Sequence, residues 1–211
     1  MTSDYRFPDD IGTARHDDDV GAVLAAIRQR GLPPAPIAFY GSSSFRLWQS
    51  MAADLGCLDV VNLGFGGATH ASALHHLDRL LTPLRPTRVV LYFGENDISA
   101  DGLDARSTLG GLRALLDAIR QRMAATPVFV LSAKQSPTKW TYADVVAEFN
   151  RLAAEHCRGL DGVHPVDVTS VLLGAHGRPL GRHYQDDLIH LNASGYLQWA
   201  RILRAQPGLF G

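Results

Sequence analysis

The chain of 211 residues has two cysteines, Cys57 and Cys157. Two are too few for a disulfide framework, and neither stands in the spacing of a metal site. Neither sign of charge is in excess: 20 Lys and Arg against 21 Asp and Glu leave a formal net charge of -1. Such a balance excludes the basic footprint that nucleic acid needs and the polybasic patch that an anionic membrane attracts. No apolar run approaches the roughly 20 residues of a membrane span. The first ten residues, "MTSDYRFPDD", lack the charged n-region and apolar h-region of a signal peptide. A soluble, cytoplasmic protein with no nucleic-acid or membrane partner is the expectation, and the near-neutral composition leaves self-association into a homo-oligomer open. Internal repeats, low-complexity tracts and linkers are also missing. The chain therefore reads as one domain over 1–211, with residues 1–16 as an N-terminal extension.

What is present is apolar. Hydrophobic residues make up 46% and charged residues 19%, enough for a substantial core. Five short runs are rich in Val, Ile and aromatics: 36–41, 58–64, 88–94, 127–133 and 162–168. Each is continuous rather than alternating, as for strands buried on both faces of a parallel sheet. Helical periodicity fills the gaps, over 17–30, 44–55, 69–81, 106–125, 141–157 and 193–204. The acidic run Asp17 to Asp19 opens the first of these, where a helix dipole favours negative charge. Strands alternating with helices at this spacing predict an α/β fold: a three-layer α/β/α sandwich around a five-stranded parallel sheet, flavodoxin-like in architecture. In such folds ligands bind beyond the carboxyl ends of the strands.

The residues at those ends carry the chemistry. The first run is followed by Gly41-Ser42-Ser43-Ser44, the second by Asn62-Leu63-Gly64-Phe65-Gly66-Gly67, and the third by Gly94-Glu95-Asn96-Asp97. The fourth ends in Ser132-Ala133-Lys134-Gln135, and "DDLIHLNASGY" (186–196) precedes the last helix. Singly these are ordinary: a serine caps a helix, Asn and Gly make turns, and Asn192 suits a cap. Jointly they supply a hydroxyl, tight glycine turns, a side-chain amide and a carboxylate three residues before an imidazole. Those are the parts of an acyl-transfer site.

On these residues the chain resembles the SGNH hydrolase family, also called the GDSL esterase or lipase family. "FYGSSSFRLW" is similar to its first block, "VVNLGFGGAT" to its second, "YFGENDIS" to its third and "DDLIHLNASGY" to its last. The family's Gly-Asp-Ser stands here as Gly41-Ser42-Ser43. Aligning the glycines makes Ser43 the implied nucleophile and puts Ser42 in place of the aspartate. Ser42 and Ser44 are then expected to bind backbone groups around the turn.

The resemblance also implies the remaining roles. His190 is the base and later the acid, and Asp187 orients its ring, the family spacing selecting it over Asp186. The backbone N–H groups of Ser43 and Gly67 and the side-chain amide of Asn96 are the implied oxyanion-hole donors. Asn62 and Asp97 are second-tier candidates for fixing the loops that carry Gly67 and Asn96. Lys134 and Trp140 are read either as lining a substrate cleft or as a surface lysine and a packing tryptophan. His70, His75 and His76 share one predicted helix without ligand spacing at i and i+4, and His156, His164, His176 and His183 form no ligand pattern. Solvated or partly buried histidines, no metal and no cofactor are therefore expected.

The implied activity is a serine esterase cleaving short acyl, acetyl-type esters of small molecules through a Ser-His-Asp triad and an acyl-enzyme. Acyl transfer to another alcohol, and a binding module that keeps the fold without the chemistry, stand beside it. A nucleotide or flavin binder of the same architecture is disfavoured, because neither Gly-x-Gly-x-x-Gly nor a P-loop follows the first strand.

Overall fold

The structure, a computed structural model, describes residues 16–211, so all but the last residue of the expected N-terminal extension lies outside the described residues. Five strands form one parallel sheet: β1 (Ile37–Gly41), β2 (Val60–Asn62), β3 (Arg88–Tyr92), β4 (Val128–Leu131) and β5 (Val163–Val166). Their order is β2-β1-β3-β4-β5, with Ile37 in register with Val60 on one side and Arg88 on the other. The α-helices of the described residues are α1 (Asp17–Arg30), α2 (Ser43–Arg46), α3 (Met51–Leu55), α4 (His70–Leu80), α5 (Glu95–Ser99), α6 (Ala105–Arg122), α7 (Ala143–Arg158) and α8 (Ala193–Arg204).

Every residue of β1 and β4 is buried, which is why these strands read as continuous apolar runs. Successive side chains still part to opposite faces. Ala38, Tyr40, Val89, Leu91 and Val128 enter one core layer with residues of α1, α4, α6 and α7. Ile37, Phe39, Val90, Tyr92 and Phe129 enter the other with residues of α3 and α8. The helical layers match the apolar stripes of the sequence, and the three-layer expectation holds.

Three local expectations fail, each for a physical reason. The run 162–168 is not covered on both faces: β5 is an edge strand, with His164 exposed and Pro165 half-buried. A proline, which cannot donate to a ladder, is tolerated at an edge. The segment 44–55 is not one helix but two short ones. Between them Trp48 turns into the core, stacking on Tyr196 at 5.0 Å and donating from Nε1 to Asp54 Oδ2 at 2.7 Å. Burying an indole with its N–H satisfied outweighs helical continuity. Finally, α5 lies outside every helical period of the sequence, since its five residues are too few to show one.

From β1 the chain crosses to β2 on one side, then returns to lay β3, β4 and β5 on the other. The order reverses between β1 and β3, and the crevice at their carboxyl ends is where such sheets bind ligands. That crevice receives Ser43 from β1 and Asn96 from β3.

Candidate active site

The serine turn is held by backbone. Ser42 N donates to Tyr92 O at 3.1 Å, and Ser42 O accepts from Phe45 N at 3.0 Å and Arg46 N at 3.2 Å. The Ser42 hydroxyl makes no cap bond to α2, contrary to the role expected of it. Ser44 is fully buried, and it is its carbonyl that is engaged, by the Tyr196 hydroxyl at 2.9 Å. Ser42 is also buried, so only the middle serine of the three keeps access to solvent. As the first residue of α2, Ser43 has a backbone N–H with no intrahelical partner. The loop after β2 runs directly against this turn: a Cβ on Gly64 would lie 2.3 Å from Arg46 N, so no other residue fits there.

The imidazole comes from a closed loop. Tyr184 and Leu191 form an antiparallel bridge, and within it Gln185 N donates to His190 O at 2.7 Å and Leu188 N to Gln185 O at 2.9 Å. At its tip Leu188 has φ +54°, a left-handed conformation costly for a branched side chain. This tight turn folds Asp187 back: its Oδ1 accepts from Ile189 N at 2.8 Å and His190 N at 2.9 Å. Its Oδ2 lies 2.6 Å from His190 Nδ1, so Asp187 and not Asp186 meets the ring. The other ring nitrogen, Nε2, lies 3.1 Å from Ser43 Oγ across 147 residues of sequence. Partial burial, the largest single influence on Asp187, pushes its pKa up. The two amides and the imidazole outweigh it together and hold the carboxyl at about 2. An ionised carboxylate only accepts, so Nδ1 carries the hydrogen and Nε2 accepts from the Ser43 hydroxyl. Thr138 fastens the loop from outside, its Oγ1 donating to Asp187 O at 2.9 Å.

The amide side of the crevice is anchored as tightly. Asn96 Nδ2 donates to Ala68 O at 3.0 Å, which sets it beside the loop carrying Gly67, itself at φ +67°. Asn62 bridges that loop to the serine turn, donating to Phe45 O at 2.6 Å and accepting from Gly64 N at 2.9 Å. Asp97 Oδ1 accepts from His70 N at 3.0 Å and lies 2.9 Å from His70 Nδ1, tying α5 to the start of α4. Asn192 Oδ1 accepts from Gly195 N at 3.2 Å and caps α8.

Lys134 and some of the histidines are placed differently from the expectations. Lys134 is not a surface lysine: its side chain is 1% exposed, with Nζ 2.7 and 2.8 Å from the two oxygens of Glu95, at the edge of a small pocket that Ser99 and Lys139 also line. Trp140 is half-buried with the Arg178 guanidinium 4.5 Å from its ring centre. His70, His76 and His183 are buried, beyond the solvated or partly buried state expected. Among the described residues no group of three or more His, Cys, Asp or Glu is arranged to hold a metal ion.

Residues missed in the sequence include Glu95, partner of Lys134, and Asp19, whose Oδ2 accepts from Gly66 N at 2.7 Å next to Gly67. Glu95 stands at the unspecified position of Gly-x-Asn-Asp, and no local pattern pairs it with a lysine 39 residues away. Asp19 was visible only as part of an acidic helix start.

Residues 30–198 match the GDSL-like lipase/acylhydrolase family, most of the chain. The chain belongs to that family. Membership in a GDSL acylhydrolase family supports an ester hydrolase. The GDSL fold recurs in solved structures at low identity. A Streptococcus pneumonia protein whose name refers to platelet activating factor superposes with a TM-score of 0.77 at 20% identity, covering 91% of this chain and 92% of that one. A GDSL-like lipase from Bacteroides thetaiotaomicron gives 0.74 at 15% identity, covering 88% and 95%. A carbohydrate esterase family 3 protein from Talaromyces cellulolyticus gives 0.63 at 15%, covering 79% and 94%. No curated protein matches the chain.

Proposed function

We propose that this GDSL-family protein is a serine esterase that hydrolyses short acyl, acetyl-type esters of small molecules. The observation that carries the reading is the 3.1 Å approach of His190 Nε2 to Ser43 Oγ, with Asp187 Oδ2 2.6 Å behind the ring. A serine hydroxyl is a weak nucleophile until a base within hydrogen-bond reach takes its proton. In the first half-reaction Ser43 Oγ bonds to the ester carbonyl carbon while its proton passes to His190 Nε2. Asp187 keeps the ring in the productive tautomer and stabilises the imidazolium. The oxyanion is met by the Ser43 and Gly67 amides and the Asn96 side-chain amide, fixed donors that need no reorganisation as charge develops. The carbonyl re-forms, the alcohol leaves with the proton from His190, and water then repeats the cycle on the acyl-enzyme.

The preference for short acyl groups is supported by exposure. The side chains of His190 and Asp187 are 26% and 41% exposed, so the reacting groups lie at an open rim. An apolar cavity of about 410 Å³, walled by Phe93, Leu112 and Phe149, does not include Ser43 or His190 in its lining.

The test is covalent. A fluorophosphonate should label Ser43, and Ser43→Ala should lose both the label and turnover of p-nitrophenyl acetate, by about 10⁶-fold if chemistry limits the rate. Rates across p-nitrophenyl esters should fall as the acyl chain lengthens. Full turnover by Ser43→Ala would refute the nucleophile, and a preference for long chains would refute the substrate class.

A further inference from the structure

Glu95, Asn96 and Asp97 are consecutive, yet each is fastened to a different element. Asn96 reaches the carbonyl of Ala68 before α4, and Asp97 takes the backbone and ring N–H of His70 within α4. Glu95 turns the opposite way, accepting from Lys134 Nζ at 2.7 and 2.8 Å and from the Tyr92 hydroxyl. The chain has two lysines, Lys134 and Lys139, against 18 arginines. One of the two is buried beneath the candidate site.

Burying an ion pair costs desolvation that two apolar residues would avoid, so the pair is weak evidence for stability alone. Its position says more. Tyr92, which donates to Glu95, also holds the serine turn through its carbonyl and accepts from Lys134 N at 3.3 Å. The next residue, Gln135, accepts at its carbonyl from the Tyr184 hydroxyl at 2.6 Å, at the base of the loop that carries Asp187 and His190. Tyr196, which donates to Ser44 O, has its pKa raised by burial first and by the charge of Glu95 second. The serine turn, α5 and the histidine loop thus converge on one buried ionic group.

We infer that the Glu95–Lys134 pair is a positioning device for Asn96, fixing the rotation of α5 and hence the direction in which the Asn96 amide faces the crevice. This rests on the serine-esterase reading above. Neither residue touches the reacting atoms. The pair acts from one side of α5 as Asp97 and His70 act from the other, and Asn96 is clamped between them. Misplacing a catalytic group by about 1 Å can cost on the order of 10²-fold in rate.

The experiment uses the whole chain with Lys134→Met, the double variant Lys134→Met/Glu95→Gln, and Tyr92→Phe. Lys134→Met leaves Glu95, only 11% exposed, without a counter-charge and should lower both melting temperature and kcat. The double variant removes both charges and should recover most of the melting temperature. Its kcat for p-nitrophenyl acetate should nevertheless stay about 10- to 100-fold below that of the unsubstituted chain, with KM changed less than about threefold. Fluorophosphonate labelling of Ser43 should slow by a similar factor. Tyr92→Phe, which removes one oxygen atom, should move kcat in the same direction by several-fold and serves if the double variant does not fold. A folded double variant with unsubstituted kcat and labelling rate overturns the positioning role and leaves the serine reading standing. So does a kcat that merely follows melting temperature across the set. If the unsubstituted chain neither labels nor turns over, the serine reading falls and the positioning role with it.

Discussion

Among the described residues two histidine–aspartate pairs have nearly the same geometry in opposite surroundings. His190 Nδ1 lies 2.6 Å from Asp187, with the two side chains 26% and 41% exposed. His70 Nδ1 lies 2.9 Å from Asp97, with the two side chains 1% and 2% exposed. The second imidazole is enclosed by Phe93 and Phe149, whose ring centres lie 5.7 and 6.0 Å from it. The first has Ser43 Oγ across its free nitrogen and open solvent beside it. Pairing with a carboxylate is common to both and so explains neither role. Access, and a serine hydroxyl on the far nitrogen, separate the pair proposed to move a proton from one that joins α5 to α4.

Substituting the two aspartates alike should break the symmetry. Asp187→Asn keeps the shape but removes the acceptor that fixes the His190 tautomer, and kcat should fall by about 10⁴-fold. Because asparagine keeps an oxygen for the Ile189 and His190 amides, the melting temperature should barely move. One step from the proton chain, Asn96→Ala removes one of the proposed oxyanion donors and should cost about 10²–10³-fold in kcat on p-nitrophenyl acetate. A loss as deep as that of Ser43→Ala would mean that Asn96 does more than receive charge. In the sealed pair the signature inverts. Asp97→Ala leaves two buried N–H groups of His70 without an acceptor and should cost about 1–3 kcal/mol of stability, read by denaturant unfolding. Its activity should fall only as far as the Gly67 and Asn96 loops loosen.

The same contrast marks what the sequence could show. Asp187 and His190 are three residues apart in one loop, so their pairing is local and legible. Ser43 and Asn96 follow strands, and their convergence follows from the strand order once five parallel strands are recognised. Asp97 with His70 and Glu95 with Lys134 join elements 27 and 39 residues apart, and no periodicity reports such a contact. Lys134 is the sharpest case. A lysine in a loop after a strand reads as solvated, and only the tertiary placement of Glu95 and Tyr92 makes burial tolerable. Trp48 shows the same limit in the fold: its segment has helical periodicity, but the stack on Tyr196 that interrupts the helix lies 148 residues on. The edge position of β5 was at least hinted at by Pro165, a residue at odds with a central strand.

A third histidine extends the comparison to a ring whose far nitrogen has no hydrogen-bond partner among the described residues. His76 is 1% exposed, lies edge-on to Phe65 with ring centres 5.7 Å apart, and has a buried Nε2 without a hydrogen-bond partner among the described residues. Burial first, and neighbouring His75 second, push its pKa down to about 4, with Asp17 pulling the other way. The folded chain therefore keeps His76 neutral where the unfolded chain, titrating near 6.5, takes up a proton. Between those values the unfolded state binds more protons, so stability is retained above about pH 6.5 and lost as pH falls toward 4. Lowering pH from 7 to 5.5 should cost on the order of 1 kcal/mol through this group alone, or roughly 2–4 °C in melting temperature. His76→Leu should shrink the drop between those two pH values by that amount, whatever it does to stability at pH 7. An undiminished drop in the variant would show that the ring is already charged when folded, and that burial without a partner does not keep this imidazole neutral.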